Sequence, residues 1–344
     1  MKLKRYENNP ILSPIPESGW ESRCVLNPGV IYADELKRYI MVYRAAGDDR
    51  RHEIKFGFAT STDGIHFDRE SADPVLAPDR YEPDGGCLED PRIVKLGNAY
   101  YMTYAARTYA PGQYWLPDNG ITFAYTDESD VYDEENMPDC GKRNITTSYL
   151  AMTKDFRHYK KFGRITEATI DDRDVFLFPS KVNGRYALIS RPKFKNVGLK
   201  MDSIWISFGD DLLEYDAPVL LMTGREWWEE IRIGGGAPPI ETPQGWFMLY
   251  HGVDAVGTYR VGAVLLDLKD PTKVIARTKE PIMEPEMPYE KEGLCNNCVF
   301  PTGNIVKDGQ LYVYYGCADK YIGLATADFD SLVTWLATEC REEL

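Results

Sequence analysis

The sequence predicts an all-β protein with the fold of a five-bladed β-propeller, and three observations support this prediction. Short strings that open a strand recur along the 344-residue chain, an aromatic and aliphatic strand follows each string, and a polar residue follows each of those strands. The repeat period is roughly 60 residues apart from one longer unit, and a period of this kind filled with short strands is typical of radially repeated sheets.

Five strings open the predicted blades. In chain order they are Asn27-Pro28-Gly29, Glu89-Asp90-Pro91-Arg92, Phe178-Pro179-Ser180-Lys181, Ala237-Pro238-Pro239 and Phe300-Pro301-Thr302-Gly303. The polar residues that follow the next strand of each blade are Arg44, Arg107, Arg191, His251 and Asp319. Equivalent positions of successive blades converge on the axis of a propeller, so we expect these five side chains to face one pocket.

The blades are predicted to form a single domain over residues 1–344, because a blade cannot bury its faces without neighbours. Blade one is predicted over about 26–69, and blade two begins at 89. Blades three, four and five are predicted over about 174–216, 235–276 and 299–335. In blade one, Thr62-Asp63-Gly64 between two strand-like runs is typical of a hairpin turn. The tail, residues 329–344, is the stretch with the strongest helical pattern, and we expect it to lean on the closing blade.

Blade two carries a long insertion at about 108–143, rich in proline, glycine and acidic residues. Insertions of a propeller fall on loops at one face. Tyr114 and Trp115 within the insertion are candidates to stack on a sugar ring, since aromatic faces suit apolar C–H surfaces. The alternative is that both side chains only pin the loop to the body of the domain.

The composition narrows the classes of partner. The net charge is −14 and the pI is about 4.9, which argues against nucleic acid or an anionic membrane as a partner. The chain has no apolar run long enough to cross a bilayer, and its first residues lack the hydrophobic segment of a signal peptide. We therefore expect a cytoplasmic protein whose partners are small molecules.

The seven cysteines predict no metal site and no disulfide framework. Cys295 and Cys298 have the spacing of half a zinc ribbon, but no second cysteine or histidine pair follows at a useful distance. Free thiols in a reducing compartment are the simpler interpretation. We expect neither a metal nor an organic cofactor.

Acidic residues are scarce at the blade starts, and this limits the possible chemistry. Asp90 is the acid that the pattern places there, because the other blades begin with Asn27, Phe178, Ala237 and Phe300. Cleavage of a glycoside by water normally needs two carboxylates, one as acid and one as base or nucleophile. A single acid suffices when the attacking group arrives with its own negative charge, as inorganic phosphate does.

Basic side chains recur at or beside the positions of the repeat that are predicted to face the pocket. They are Arg173, Arg191, Arg232 and His251. The planar guanidinium of arginine matches the oxygens of phosphate with two hydrogen bonds, so this set predicts an anion clamp. The alternative for each arginine is an ordinary ion pair with a nearby carboxylate, and for His251 it is a place in the core.

Taken together, these strings resemble glycoside hydrolase family 130. The resemblance is carried by Asn27-Pro28-Gly29, Arg44, Glu89-Asp90-Pro91-Arg92, Phe178-Pro179-Ser180-Lys181, Gly234-Gly235-Gly236-Ala237-Pro238-Pro239-Ile240, Tyr250-His251-Gly252-Val253 and Phe300-Pro301-Thr302-Gly303. That family comprises five-bladed propeller β-mannoside phosphorylases and a minority of hydrolases. The resemblance implies that Asp90 is the sole catalytic acid and protonates the glycosidic oxygen through a hydroxyl of the donor mannose. Phosphate then attacks C1 from the opposite face and gives α-D-mannose 1-phosphate.

The resemblance also assigns roles to the other residues. It implies that Arg173, Arg191 and His251 bind phosphate, and Arg232 stands where we expect a lysine with the same role. Residues predicted to bind the mannoside are Asn27, Arg44, Glu89, Arg92, Lys181 and Asp319.

The predicted function is inverting phosphorolysis of β-1,4-mannooligosaccharides by a transferase-type phosphorylase, with inorganic phosphate as co-substrate. Phosphorolysis of β-1,2-mannobiose or of β-1,4-mannosylglucose stays open, because loops decide the choice of acceptor. A second hypothesis is a mannosidase that uses water, with Glu89, Asp174 or Asp319 as its base. A third is a non-catalytic propeller that binds glycans or proteins. Assembly into a homo-oligomer is a further possibility.

Overall fold

The computed structural model describes residues 1–113, 144–195 and 197–342. Most of the insertion predicted at 108–143, including Tyr114 and Trp115, lies outside the described residues. The described part of the chain forms five antiparallel sheets arranged as the blades of a propeller. The predicted all-β, five-bladed architecture is therefore confirmed.

Each blade is a meander whose first strand lies nearest the axis. The first blade contains β2 (Cys24–Ala33), β3 (Arg38–Ala46), β4 (Ile54–Ser61) and β5 (Asp68–Arg69). The second contains β6 (Cys87–Leu96), β7 (Ala99–Arg107), β8 (Thr147–Thr153) and β9 (Tyr159–Arg164). The third contains β10 (Asp172–Leu177), β11 (Tyr186–Pro192), β12 (Ile204–Gly209) and β13 (Val219–Met222).

The last two blades differ slightly from this plan. The fourth contains β14 (Arg232–Gly235), β15 (Ile240–Thr242), β16 (Gly245–Val253), β17 (Tyr259–Leu266) and β18 (Val274–Arg277). Both β14 and β15 pair with β16, so they act as one interrupted inner strand. The fifth contains β1 (Lys4–Arg5), β19 (Val299–Lys307), β20 (Gln310–Cys317) and β21 (Tyr321–Asp328).

The core lies between the blades, because each sheet buries both of its faces against its neighbours. The strand β16 shows this most fully, with all nine residues buried. A strand buried on both faces reads as a near-continuous apolar run, which is why aromatic and aliphatic segments mark the blades in the sequence. A separate hydrophobic cluster fills each of the five junctions between neighbouring blades in the described residues.

The N-terminal segment closes the ring, a feature that the sequence analysis did not predict. Strand β1 pairs with β21 and supplies the outermost strand of the last blade. The side chain of Arg5 then reaches Glu290 of the short helix α1 (Pro288–Lys291), with 2.8 Å between Nε and Oε1. Glu290 is fully buried and also accepts a hydrogen bond of 2.8 Å from the hydroxyl of Tyr315.

The predicted C-terminal helix is present and ends earlier than expected. Helix α2 (Phe329–Glu339) is capped at its N-terminus by Asp328, whose Oδ1 accepts a hydrogen bond from the backbone N–H of Ser331 at 2.9 Å. This is the side-chain cap that helix starts favour. The helix buries Phe329, Leu332, Val333 and Leu336 against the junction between the fourth and fifth blades.

A β-bulge interrupts the inner strand of each of the first three blades. The register shifts between Leu26 and Gly29, between Glu89 and Arg92, and between Arg173 and Phe176. Asn27, Asp90 and Asp174 follow the first residue of each shift, and their φ angles are +44°, +52° and +55°. The equivalent of Asp90 in the third blade is therefore Asp174 rather than Phe178, which corrects the sequence analysis.

Among the described residues, no helix combines the length and the apolar character that a bilayer crossing requires.

We predict that Arg5→Ala lowers the free energy of unfolding by about 3 kcal/mol, because it leaves the buried carboxylate of Glu290 without its cation. Chemical denaturation followed by intrinsic fluorescence measures the change. Lys4→Ala is the matched control, since Lys4 lies in the same strand pair with an exposed side chain. Equal effects of the two substitutions would show that the buried ion pair does not stabilise the closure.

Candidate active site

A pocket of about 300 Å³ lies where the inner strands of the five blades meet. The five polar residues predicted to converge, Arg44, Arg107, Arg191, His251 and Asp319, all line it. Five further predicted site residues join them, namely Asn27, Glu89, Asp90, Arg173 and Arg232. The remaining lining residues are Asp174, Tyr259, Cys295, Cys298 and Phe300, so all five blades contribute to the pocket.

Asp90 is held at the pocket wall by three groups. Its Oδ1 accepts hydrogen bonds from Nδ2 of Asn27 at 2.8 Å and from Nη1 of Arg44 at 3.0 Å. Its backbone carbonyl accepts a hydrogen bond from Nη1 of Arg92 at 2.7 Å. In the part of the chain that the structure describes, Oδ2 of Asp90 has no hydrogen-bond partner. This oxygen is therefore the one available to a substrate.

Glu89 precedes Asp90 but is buried and locked between two arginines. Its carboxylate lies 3.4 Å from Nη1 of Arg44 and 3.4 Å from Nε of Arg107. Burial alone would raise the pKa of Glu89, but the charges of the two arginines outweigh it and lower the pKa to about 2. A carboxylate in that state is a weak base, and its main effect is to fix Arg44.

Two arginines of the predicted anion clamp are oriented by carboxylates. Nε and Nη2 of Arg173 both donate to Asp171, each at 3.0 Å. Nε of Arg191 donates to Oδ2 of Asp174 at 2.5 Å, and Nη1 donates to Asp202 at 3.1 Å. Arg173 and Arg191 thus form the ion pairs that the sequence analysis gave as the alternative, and both also line the pocket.

The other two members of the clamp lie against an aromatic wall. The guanidinium of Arg232 lies 5.6 Å from the centre of the Tyr259 ring. The ring of His251 stacks on Tyr259 and meets Phe300 edge-on, with its centre 4.6 Å from that of Phe300. An arginine over an aromatic face is stabilised by the negative charge of the ring surface.

His251 is a neutral donor or acceptor and not a cation. It is buried, and burial together with the charges of Arg191 and Arg232 lowers its pKa to about 3, despite the opposing charge of Asp174. Its Nε2 lies 3.8 Å from Oδ2 of Asp174, and Nδ1 has no hydrogen-bond partner among the described residues. A neutral imidazole can donate one hydrogen bond to an anion without adding charge.

Asp174 is the pocket residue that the sequence analysis undervalued, since it named Asp174 only as a possible base. It is 3% exposed and lies among Arg191, His251 and Arg92. Burial would raise the pKa of Asp174, but the charge of Arg191 outweighs it and holds the pKa well below its usual range. Asp174 therefore stays charged at neutral pH.

A spacing in the sequence could have identified Asp174. The bulge residues Asn27, Asp90 and Asp174 each precede a pocket arginine by 17 residues, namely Arg44, Arg107 and Arg191. Each pair lies on the first two strands of one blade, near the end that faces the pocket. Arg44 and Arg191 pair with the residue before the bulge, whereas in the second blade Glu89 pairs with Ala105, two residues before Arg107. The Pro-based pattern missed it because Val175 follows Asp174 where proline follows Asn27 and Asp90.

Two predicted substrate-binding residues do not line the pocket. Lys181 is exposed in the turn between β10 and β11, at the far end of the blade from Arg173 and Arg191, and its ammonium lies 4.2 Å from the centre of the Tyr186 ring. Arg92 is buried beneath the pocket, where its Nε donates to the carbonyl of Gly236 at 2.9 Å. Arg92 therefore supports the backbone of Asp90, and Lys181 lies outside the site.

A larger cavity of about 700 Å³ lies between the second and third blades. The one arginine among its described lining residues, Arg164, is bound to Thr147 and Tyr149 at 3.2 Å each. The smaller axial pocket is the candidate active site, because it combines an acid with an open oxygen and a set of oriented cations.

A family model described as β-1,4-mannooligosaccharide phosphorylase matches residues 2–117 and 131–338. The chain is 38% identical over 338 residues to the 1,2-β-oligomannan phosphorylase of Thermoanaerobacter sp. (strain X514), covering 96% of this chain and 99% of that protein. It is 28% identical over 351 residues to the β-1,4-mannooligosaccharide phosphorylase of Ruminococcus albus, covering 96% and 90%. A solved structure of the Listeria innocua β-1,2-mannobiose phosphorylase with β-1,2-mannobiose matches with a TM-score of 0.77 at 26% identity, covering 98% and 99%.

The buried carboxyl of Asp172 yields a prediction about pH. Burial raises its pKa to about 8, although its Oδ1 accepts a hydrogen bond from the backbone N–H of Arg191 at 3.0 Å. Because the folded state holds this proton more tightly than the unfolded state, Asp172 should lower stability progressively as the pH rises from about 4 to about 8.

We therefore predict that Asp172→Asn gains stability relative to the wild type between pH ~5 and pH ~8, by at least about 1.4 kcal/mol, the value of one pKa unit. The amide keeps an oxygen for the Arg191 N–H and removes the titration. Denaturation curves at several pH values measure this gain. Parallel pH profiles for the two proteins would contradict the raised pKa.

Proposed function

The chain belongs to glycoside hydrolase family 130, a family of mannoside phosphorylases, and from that premise we propose that it is an inverting β-mannoside phosphorylase. The observation that supports the proposal most strongly is the content of the axial pocket. It holds Asp90, whose Oδ2 has no hydrogen-bond partner among the described residues, together with Arg173, Arg191, Arg232 and His251. One acid and an anion site are what phosphorolysis requires.

In the proposed reaction, Asp90 supplies the proton that the leaving sugar needs. The family resemblance implies that the proton passes through a hydroxyl of the donor mannose to the glycosidic oxygen. The bond between C1 and that oxygen breaks while a phosphate oxygen attacks C1 from the opposite face. The products are a shortened mannoside or mannose and α-D-mannose 1-phosphate, with inversion at C1.

The phosphate is proposed to bind where Arg173, Arg191, Arg232 and His251 line the pocket. Carboxylates already hold Arg173 and Arg191 in place, so little reorganisation is needed when the anion arrives. His251 adds a neutral hydrogen bond. Inorganic phosphate is the proposed co-substrate, and this chemistry calls for neither a metal nor an organic cofactor.

The mannoside is proposed to bind beside Asp90, with Asn27, Arg44 and Asp319 contacting its hydroxyls. Asn27 and Arg44 support this placement, since both donate hydrogen bonds to Oδ1 of Asp90. Phe300 offers an apolar ring in the same pocket, and such a ring suits the C–H surface of a sugar.

A mannosidase that uses water is the second candidate. It would need a carboxylate to take the proton of the attacking water. Glu89 and Asp174 are poor bases, because neighbouring arginines lower the pKa of both carboxylates and a carboxylate of low pKa takes up a proton poorly. Asp319 also lines the pocket, and it keeps this candidate open. A non-catalytic propeller is not proposed, because the relatives are named as enzymes.

We propose a β-1,2-linked mannoside as the substrate, where the sequence analysis predicted a β-1,4 linkage. The relative named for a 1,2-β-oligomannan is 38% identical, and the one named for β-1,4-mannooligosaccharides is 28% identical. The family model is described as a β-1,4-mannooligosaccharide phosphorylase. The experiment below therefore compares β-1,2-linked with β-1,4-linked mannobiose.

We predict that β-1,2-mannobiose is cleaved with phosphate to mannose and α-D-mannose 1-phosphate, and is barely cleaved in phosphate-free buffer. Phosphate arrives ionised, whereas an attacking water needs a base, and Glu89 and Asp174 are poor bases in this pocket. Product analysis by NMR, with and without phosphate, measures both the products and the configuration at C1. Parallel reactions with β-1,4-mannobiose test the linkage.

The outcomes separate the proposals. Faster phosphorolysis of the β-1,4-linked disaccharide would overturn the linkage and leave the reaction class intact. Free mannose as the sole product, at a rate that does not depend on phosphate, would support the mannosidase instead.

We predict that Asp90→Asn lowers turnover by at least ~10²-fold, the scale of general-acid catalysis, while the fold is retained. The amide can still accept hydrogen bonds from Asn27 and Arg44 but has no proton to cycle. Steady-state rates of phosphorolysis measure the loss. Lys181→Ala, outside the pocket, should keep the wild-type rate; near-normal turnover of Asp90→Asn would remove Asp90 from the mechanism.

A further inference from the structure

Asp174 places a negative charge inside a site that is proposed to bind an anion. Its carboxylate lines the pocket together with Arg173, Arg191, Arg232 and His251. A carboxylate in such a place repels a fully deprotonated oxyanion and accepts a hydrogen bond from one that carries a proton. We infer that Asp174 makes the anion site selective for protonated tetrahedral oxyanions such as phosphate, against sulfate. The inference rests on the proposed phosphate site and adds a specificity-determining residue to it.

The hydrogen-bonding groups of the site support this role of Asp174, because the arginines can only donate and the carboxylate can only accept. Arginine side chains only donate hydrogen bonds, so Arg173, Arg191 and Arg232 suit any tetrahedral anion. Asp174, when ionised, only accepts, and its pKa lies well below the usual range. The recorded hydrogen bond, from Nε of Arg191 to Oδ2, uses one of about four lone-pair sites of the carboxylate. Acceptor capacity is therefore left for a ligand.

The surroundings of Asp174 fix its carboxylate in place. Arg191 holds Oδ2 from one side, and Nη2 of Arg92 lies 3.8 Å from Oδ1 beneath the pocket. Gly234 passes so close that a Cβ at this position would lie 2.1 Å from Oδ2 of Asp174 and 2.4 Å from Cε1 of His251. Only glycine leaves room for the carboxylate and the imidazole together. The acceptor is thus built into the fold.

The consequence for two similar anions follows from their protons. At neutral pH phosphate retains at least one P–OH group, which can donate to Asp174 while its other oxygens accept from the arginines. Sulfate has the same shape but no proton, so one of its oxygens would face the carboxylate without a hydrogen bond. A site built to use a ligand's hydrogen-bond donor rejects an analogue that lacks it. Arsenate keeps a proton and should behave like phosphate.

The experiment measures KM for phosphate and Ki for sulfate in the phosphorolysis of mannobiose, at constant ionic strength and neutral pH. In the wild type we expect arsenate to compete with phosphate and sulfate to inhibit only at concentrations at least about tenfold above KM for phosphate. In Asp174→Asn we expect the ratio of Ki for sulfate to KM for phosphate to fall by at least about tenfold, the effect of one charge-assisted hydrogen bond.

Asp202→Asn is the matched control. Asp202 pairs with the same guanidinium, that of Arg191, at 3.1 Å, but is not among the described residues that line the pocket. Its removal changes the local charge by the same amount without removing the acceptor, so the ratio should stay near the wild-type value. An equal change of the ratio in both variants would show a general charge effect and overturn the inference.

The wild-type measurement tests the selectivity for phosphate over sulfate even if Asp174→Asn does not fold. Inhibition by sulfate with a Ki close to KM for phosphate would overturn the role of Asp174 while leaving the phosphorylase intact. Cleavage that needs no phosphate would instead contradict the proposed function. The two failures are therefore distinguishable.

Discussion

The axial pocket depends on a bulge that interrupts the inner strand of three successive blades. At each bulge one residue has a positive φ, which residues other than glycine rarely adopt. The three residues are Asn27, Asp90 and Asp174. Such a conformation costs of order 1–3 kcal/mol and persists only where the surrounding structure enforces it. The three bulges place the amide of Asn27 and the carboxyl groups of Asp90 and Asp174 at equivalent positions of the pocket.

The three bulge residues lie in different electrostatic environments. Arg44 and Asn27 hold one oxygen of Asp90 and leave the other open. Arg191 binds Asp174 directly and keeps it ionised. Removal of charges from water is costly unless each is paired and hydrogen-bonded. This explains why four pocket arginines carry carboxylate partners, namely Arg44, Arg107, Arg173 and Arg191. An acidic protein can in this way present a locally cationic surface to an anion.

Much of the fold was accessible from the sequence, because aromatic and aliphatic strands at a regular spacing report directly on blades buried on both faces. Convergence of Arg44, Arg107, Arg191, His251 and Asp319 was also predictable, since it follows from the symmetry of the repeat. The role of β1 in closing the ring was not, because two residues carry too little pattern to indicate which sheet edge they join.

The errors at Phe178 and Lys181 share one physical cause. A bulge shifts the register of a strand, and the sequence analysis located blade starts by proline, which the bulge at Asp174 lacks. It therefore placed Phe178 where Asp174 belongs and assigned Lys181 to the pocket, although the turn carries Lys181 to the other end of the blade. Ion pairs such as Arg173 with Asp171 depend on side-chain positions that spacing does not determine.

In the proposed mechanism, one pocket holds the acid and the phosphate on opposite sides of the scissile bond. A crystal structure of the protein with phosphate and β-1,2-mannobiose would show both positions. We expect a tetrahedral anion in contact with Arg173, Arg191 and Arg232, and a mannose ring between that anion and Asp90. A sugar bound away from Asp90, or an anion bound only outside the axial pocket, would contradict it.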